Sequence, residues 1–469
     1  MLTMHLLGAF SSVQAVMSTR TPQGAIAWVV SLNTFPYVAV PAYWIFGQSH
    51  FDGYEIERHR DFLRESDSEN EIMIALREKG LEYLPADEDE VREVKLLEKL
   101  ALLPLTRGND VDLLIDGQAT FDAIEASIAK AEEYVLFQFY ILRSDDLGNR
   151  LKDAMIERAR AGVRCYVLYD GYGSSGLAPS YIRELREAGV ETAEFNTTAG
   201  SGNRFRMNFR NHRKVVVVDG RESFVGGHNV GIEYLGLDPD YGDFRDTHVA
   251  MRGPIVLATQ VAFFEDWSWT TGERPELNWE PEAAPEGDVI AACLPTGPAD
   301  EYESMSLLAL DRVHTARKRV WIATPYFVPD EQLVSALQLA GLRGLDVRIL
   351  VPDNNNNAIV DLTTYSYLAD LERAGVKFFR YEGGFMHQKV FVVDDAISSV
   401  GTANFDNRSM RLNFEITMLF HDAEFAAEVR AMLERDFERS RPFLVSEYSE
   451  RGLAFRFAVR AARLMAPIL

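Results

Sequence analysis

Cysteine is almost absent from this chain, which carries two, Cys165 and Cys293, among 469 residues. They offer no disulfide framework, and that suits a reducing compartment. Positive charge is also short: 48 Lys and Arg face 71 Asp and Glu, for a formal net charge of −23. A chain this acidic is a poor general binder of polyphosphate backbones, which counts against a nuclease and against nucleic acid as a partner. Metal-ligand spacing is missing as well. There is no His-Glu-x-x-His and the two cysteines lie far apart, so no metal and no cofactor are expected. Gly171, Gly173 and Gly176 match Gly-x-Gly-x-x-Gly, but no Gly-Lys-Ser/Thr accompanies them. Three glycines in six residues after a strand read as an ordinary turn rather than a dinucleotide cradle.

Charge of either sign is lacking at the N-terminus, where Arg20 is the one formally charged side chain in the first 47 residues. Met1 to Ser18 is uncharged and of marginal spanning length, and Ala25 to Gly47 is longer; about 20 apolar residues cross a bilayer core. His5, Gln14, Asn33, Pro36 and Pro41 interrupt these stretches, which leaves half-insertion or tilt open. A cleavable signal peptide would carry a positive n-region, which is absent. The reading is a membrane hairpin over residues 1–57. Arg58, Arg60 and Arg64 follow it, so the positive-inside tendency puts the large domain in the cytoplasm.

What the chain does have is one spaced pattern written twice. His-x-Lys-x4-Asp-x6-Gly-x2-Asn occurs at His212, Lys214, Asp219, Gly226 and Asn229, and again at His387, Lys389, Asp394, Gly401 and Asn404, every matched pair 175 residues apart. The constant offset implies a duplicated unit contributing two histidines to one site. Each motif runs into β-branched or aromatic apolar residues and is expected on a buried strand. On a strand, positions i and i+2 share a face. His212 should therefore point with Lys214 and His387 with Lys389, while Asp219 and Asp394 should point the other way or sit in the turn, and read as structural partners.

Two imidazoles beside two ammonium groups suit a phosphodiester. Its negative charge repels anionic nucleophiles, so a neutral imidazole attacks and splits one displacement into two through a phosphohistidine. The second imidazole, ordinarily near pKa 6.5, protonates the leaving alkoxide. The environments must then push the two pKa values apart. Lys214, Lys389, Asn229 and Asn404 are candidates to hold the non-bridging oxygens, where charge builds up. Acids at the heads of two later strand-like runs are candidates to fix the tautomers: Asp246 for His212 and Glu415 for His387. Arg204, Arg206, Arg210, Arg213 and Lys214 form a run of five cations without an acid, either a phosphate dock or a solvated basic loop.

Strands and helices alternate around both motifs. The pattern predicts helix 121–131, strand 134–141, helix 148–161 and strand 163–170, and then helix 304–316, strand 320–324, helix 331–342, strand 346–351 and helix 360–374. This argues for an α/β fold of two similar lobes, each a mixed β-sheet flanked by helices, behind an N-terminal membrane-associated helical segment. The lobes are expected at 109–285 and 286–442, after an acidic helical connector at 58–108. Residues 353–357 (Asp-Asn-Asn-Asn-Asn) read as an exposed loop at a strand end. A basic tail spans 443–469, where Arg456, Arg460 and Arg463 share one helical face. Such a helix either lies in an anionic headgroup layer or caps the second lobe.

The twin motif resembles the phospholipase D superfamily. Leu105–Asn109 (LTRGN), Thr324–Asp330 (TPYFVPD), Gly384–His387 (GFMH) and Gly401–Ser409 (GTANFDNRS) bring the resemblance to bacterial cardiolipin synthases, over about residue 20 to the C-terminus. It implies that His212, Lys214, Asp219, His387, Lys389 and Asp394 form the catalytic set, with His212 as nucleophile. It further implies condensation of two phosphatidylglycerols into cardiolipin and glycerol at the bacterial inner (cytoplasmic) membrane, without metal or nucleotide. A homo-oligomer is left open. Thr402 stands where Ser is common in that superfamily, and Gly227 takes its place in the first copy. A hydrolase, or a transferase using another acceptor such as phosphatidylethanolamine, is the alternative; a nuclease or an inactive scaffold fits less well.

Overall fold

A computed structural model describes residues 2–47, 51, 71–101, 103–198 and 208–469. Arg58, Arg60, Arg64, Arg204 and Arg206 lie outside the described residues.

The duplication is visible in the backbone. One sheet of 16 strands runs through the molecule, and its two ends repeat one order. From the outside inward the first half reads Glu191–Phe195, Arg164–Asp170, Tyr134–Phe139, Val215–Val218, Glu222–Gly226, Thr247–Arg252 and Thr106–Ile115. The second reads Lys377–Tyr381, Asp346–Pro352, Arg319–Ala323, Val390–Val393, Ile397–Gly401, Asn413–His421 and Val289–Thr296, with Ser440–Pro442 added at its edge. In each half the first three strands of that shared order are parallel and the rest, Ser440–Pro442 included, antiparallel, so each is a mixed sheet. The halves join where Thr106–Ile115 pairs antiparallel with Val289–Thr296. Two layers expected side by side are thus one continuous sheet.

Helices Asp116–Lys130, Asp146–Arg160, Ser304–Thr315, Glu331–Leu342 and Ala358–Glu372 form close to their expected positions. Side-chain caps fix several starts: Asp145 accepts from Gly148 N, Asp330 from Leu333 N and Asp422 from Phe425 N, each satisfying a donor the first helical turn leaves open. Of the connector, Ile72, Leu76 and Leu81 pack with Leu257, and Val94, Leu97 and Leu100 enter the core of the second half. The Gly171–Gly176 segment is a turn whose Tyr172 and Gly173 amides donate to Asp170.

The expected hairpin is not what the N-terminus forms. Three helices, Leu2–Ser18, Pro22–Thr34 and Pro36–Phe46, have 17, 13 and 11 residues, roughly 26, 20 and 17 Å at 1.5 Å per residue against a hydrocarbon core of about 30 Å. Among the described residues no helix is long and apolar enough to cross a membrane. The physical reason is local: Thr21 caps the second helix and Pro36 starts the third, so the uncharged stretch of residues 25–47 is broken in two. The first helix is also inside out, its small face packed on Leu32, Val40 and Tyr43 of the other two. Gly8, Ser11, Ser12 and Ala15 are buried, whereas Leu2, Leu6, Phe10, Val13 and Met17 are exposed. Asn33 donates to Ser12 and Trp44 to Ser11, and a Cβ on Gly8 would meet the Leu32 carbonyl at 2.3 Å. Small residues and side-chain hydrogen bonds inside, with large apolar residues outside, are how helices associate in lipid.

Candidate active site

Both motif histidines, His212 and His387, stand just ahead of their strands, in extended segments that reach across to the other half. Arg210–Asn211 pairs parallel with Asn413–Phe414, and the His212 amide donates to the Phe414 carbonyl at 2.8 Å. The second copy mirrors this. Phe385–Met386 pairs with Phe244–Arg245, and the His387 amide donates to the Arg245 carbonyl at 2.8 Å. The residue after each acceptor is an acid. Glu415 therefore meets His212 Nδ1, at 2.9 and 3.0 Å from its two oxygens, and Asp246 meets His387 Nδ1 at 2.8 Å. The expected partnership is reversed: each imidazole is oriented by the carboxylate of the opposite half. Register along one strand carries no information about a strand delivered by the other repeat, so the sequence left this out of reach.

The lysines lie buried beneath the histidines. Lys214 Nζ donates to the His212 carbonyl at 2.6 Å; Lys389 Nζ donates to the His387 carbonyl and lies 2.9 Å from His387 Nδ1. Asp219 and Asp394 are far from this chemistry. Both sit in the turn after their strand with φ of 53° and 55°. The Asp219 carboxylate accepts from the amides of Glu132, Glu133 and Tyr134, and that of Asp394 from Arg317, Lys318 and Arg319. They anchor the neighbouring strand, as the strand parity predicts, and do not join the histidines in the way the resemblance implies.

Electrostatics separate the two sides. Burial lowers the His212 pKa to about 4 and holds His387 well below its ordinary value, so both imidazoles are neutral before an anion arrives. Burial likewise lowers Lys389 to about 8 and Lys214 well below its usual range. The carboxylates diverge. Burial alone would raise Glu415, but His212, Lys214 and the Thr402 hydroxyl, which donates at 2.6 Å, bring it below the usual carboxylate range. Asp246 is pushed up by burial despite Lys389 nearby. Its counterpart of Thr402 is Gly227, where a Cβ would stand 2.0 Å from Asp246 Oδ1. The two small residues are thus not equivalent: Thr402 adds a donor, and Gly227 makes room.

Both histidines line one cavity of 420 Å³, with Tyr140, Tyr234, Phe244 and Phe385 around the rings and Arg143, Arg210 and Arg408 as its cations. With Nδ1 engaged on each ring, Nε2 is the nitrogen left for a ligand. Asn229 and Asn404 are on the wall, each with its amide nitrogen already donating one hydrogen bond. Asn229 Nδ2 donates to the Tyr234 hydroxyl at 2.5 Å and its Oδ1 accepts from the Ile141 amide; the Asn404 amide bonds to Asp406. Asn404 Oδ1 and Asn413 Oδ1 are buried behind this wall without a hydrogen-bond partner. Asn413 is held that way round by donating Nδ2 to Glu415 at 3.1 Å. Asn356 and Asn357 of the polar loop also reach the cavity. Tyr140, Tyr234 and Arg143 had no sequence signal, whereas Arg408 lies within the Gly401–Ser409 stretch. Among the described residues no group of three or more His, Cys, Asp or Glu is placed to hold a metal ion.

Buried polar networks fix this arrangement from behind. Asp266 pairs with Arg213 at 2.9 Å and accepts from Gln138 and Asn211. In the second half Asp436 pairs with Arg245 at 2.9 Å and accepts from Gln388. Fully paired charges of this kind hold one geometry firmly because breaking any member leaves a buried charge uncompensated.

Comparisons with known proteins agree with this geometry. The family model "Cardiolipin synthase, PLD-like domain" matches residues 124–241 and 309–437, one segment in each half. Cardiolipin synthase A of Pseudomonas putida strain W619 is 45% identical over 99% of this chain and 97% of its own length; that of Pseudomonas fluorescens strain Pf-5 is 44% identical over 99% and 97%. Among solved structures, phosphatidylserine synthase of Haemophilus influenzae Rd KW20 superposes with a TM-score of 0.62 at 16% identity, over 80% of this chain and 99% of that one. Polyphosphate kinase of Porphyromonas gingivalis gives 0.51 at 11%. The last two establish a shared fold. Full-length identity, the matched model in both repeats and the paired histidine motifs together place this chain in the cardiolipin synthase family of phospholipase D-like proteins.

Proposed function

We propose that this chain is a phosphatidyltransferase that joins two phosphatidylglycerols into cardiolipin and releases glycerol. The observation that carries the reading is one cavity entered by two imidazoles, each held at Nδ1 by a carboxylate of the opposite half, in a chain 45% identical to a cardiolipin synthase A along its length. His212 Nε2 attacks phosphorus, the bond from phosphorus to the glycerol oxygen breaks, and His387 gives its Nε2 proton to that oxygen. The product is a phosphatidyl group on His212. A terminal hydroxyl of a second phosphatidylglycerol then attacks the same phosphorus, its proton passes to His387, and the bond to His212 breaks. The diester's own negative charge is what raises the otherwise neutral His387 enough to carry the proton. Lys214 and Lys389 place positive charge behind the developing oxyanion.

Glu415, held below its ordinary pKa beside His212, and Asp246, raised by burial beside His387, support His212 as nucleophile: a firm carboxylate on Nδ1–H raises electron density at Nε2. The inside-out first helix at the N-terminus supports a seat in the inner membrane, with 1–57 as the lipid-facing unit, 58–108 the connector, 109–285 and 286–442 the catalytic halves and 443–469 the tail.

Purified protein supplied with phosphatidylglycerol alone is expected to yield cardiolipin and glycerol in equal amounts by mass spectrometry; phosphatidic acid as the sole product defeats the synthase reading and leaves a hydrolase. The pH profile follows from the burial of the site. kcat, read with substrate bound and His387 already charged, should fall as pH rises through about 8, where Lys389 loses its proton, and kcat/KM should fall below about 4, where His212 gains one. In Lys389→Gln the plateau is expected lower and the alkaline limb gone; an unchanged limb assigns it to another group.

A further inference from the structure

The last helix, Leu453–Arg463, wears its apolar residues on both sides. Val459 and Ala462 are buried where it packs on the helix Ala358–Glu372. On the opposite side Leu453, Phe457 and Leu464 are 81%, 76% and 81% exposed. At 100° per residue these three fall within about 40° of one another, a single outward stripe. Arg456 and Arg460 flank the stripe, both exposed, with their guanidinium groups near the Tyr448 ring at 5.8 and 5.9 Å. Arg451 precedes it, and no acid occurs from Arg451 to Leu469. In a chain of net charge −23 this is a local reversal of sign, and it coincides with large apolar groups standing in water.

The stripe is tied to the catalytic cavity. Past Leu464 the chain turns inward: Arg408 donates from its amide to the Leu469 carbonyl at 2.7 Å and from Nη2 to the Ile468 carbonyl at 2.9 Å. Arg408 and Leu469 both line the cavity. The short segment Asn407–Arg411 that carries Arg408 also meets the N-terminal bundle, since Arg411 Nε and Arg20 Nη2 share the Glu303 carboxylate at 3.0 and 2.7 Å. Five residues therefore connect the outward stripe, the N-terminal helices and the mouth of the site.

We propose that helix Leu453–Arg463 is a second membrane contact: it lies in the headgroup layer of an anionic phospholipid bilayer and so holds the cavity at the depth of the lipid phosphates. This rests on the lipid substrate argued above. The apolar stripe occupies the acyl boundary, and Arg451, Arg456 and Arg460 meet phosphate oxygens. An acidic protein would satisfy the arginines but not a stripe joined through Leu469 to the cavity that holds both histidines, and a neutral bilayer would satisfy the stripe but not the arginines.

The test places a polarity-sensitive fluorophore on the stripe of the full-length protein. Both native cysteines are buried and free, so Phe457→Cys, with Leu464→Cys as a second position, takes the label selectively. On phosphatidylglycerol vesicles the emission is expected to rise several-fold, shift to the blue and be quenched by lipids spin-labelled near the top of the acyl chain. Phosphatidylcholine vesicles should give a small fraction of that response, and Arg456→Gln with Arg460→Gln should remove the difference. The proposal is overturned if the protein sediments with phosphatidylglycerol vesicles while either probe stays water-like, or if both lipids give equal signals. Adding His212→Ala should leave the signal intact. A responding probe on a protein that makes no cardiolipin upholds the contact and rejects the reaction.

Discussion

His212→Ala is expected to lose phosphatidyl transfer by on the order of 10⁴-fold or more, and to form no phosphatidyl-enzyme on any timescale. Its Nε2 supplies the electron pair for the first bond, and no other neutral nucleophile stands in its place: Lys214 is turned back onto the His212 carbonyl. His387→Ala should lose turnover by a comparable factor yet differ in kind. The nucleophile and its carboxylate are intact there, so a phosphatidyl group is transferred slowly to His212 and then stranded, because nothing remains to take the proton of the incoming alcohol. Acid-free quenching followed by intact-protein mass spectrometry reads the adduct directly. Adduct in His212→Ala but not in His387→Ala would exchange the two roles.

Glu415→Gln and Asp246→Asn should separate along the crossed pairing. Replacing a carboxylate that fixes a catalytic imidazole by its amide keeps the shape and removes the charge, and at a comparable site costs about 10⁴-fold by favouring the wrong tautomer. Glu415 touches His212, so Glu415→Gln should slow formation of the phosphatidyl-enzyme. Asp246 touches His387, so Asp246→Asn should slow its consumption and let adduct accumulate. If each acid served the histidine of its own half, the two phenotypes would be interchanged. Rapid-quench measurement of both steps, with folding followed by circular dichroism, distinguishes these outcomes. Asp436→Asn, which touches neither ring, provides the control for damage to the buried network.

Much of this protein was written in its residues. Spacing by 175 announced the duplication, and apolar runs such as Val215–Val218 and Val390–Val393 announced the strands that the two halves share in order. Strand parity correctly sent Asp219 and Asp394 away from the site, because alternation is a property of the backbone itself. Helix positions were legible for the same reason: caps and periodicity act within a few residues.

Three features depended on parts of the chain meeting in space. The N-terminal stretch has the composition of a hairpin, but Thr21 and Pro36 break it into three short helices, the first with its small residues packed inward. Tyr140, Tyr234 and Arg143 reach the cavity only through loops from the first half, without any spacing to betray them. The crossing of Glu415 to His212 and of Asp246 to His387 arises because each motif pairs its backbone with a strand of the other repeat. Local sequence thus determined which motif residues face the cavity and which turn to the backbone, since side-chain type and strand parity are intrinsic to a segment. Tertiary structure alone decided which carboxylate serves which imidazole, since that follows from hydrogen bonds between segments some 140 and 200 residues apart.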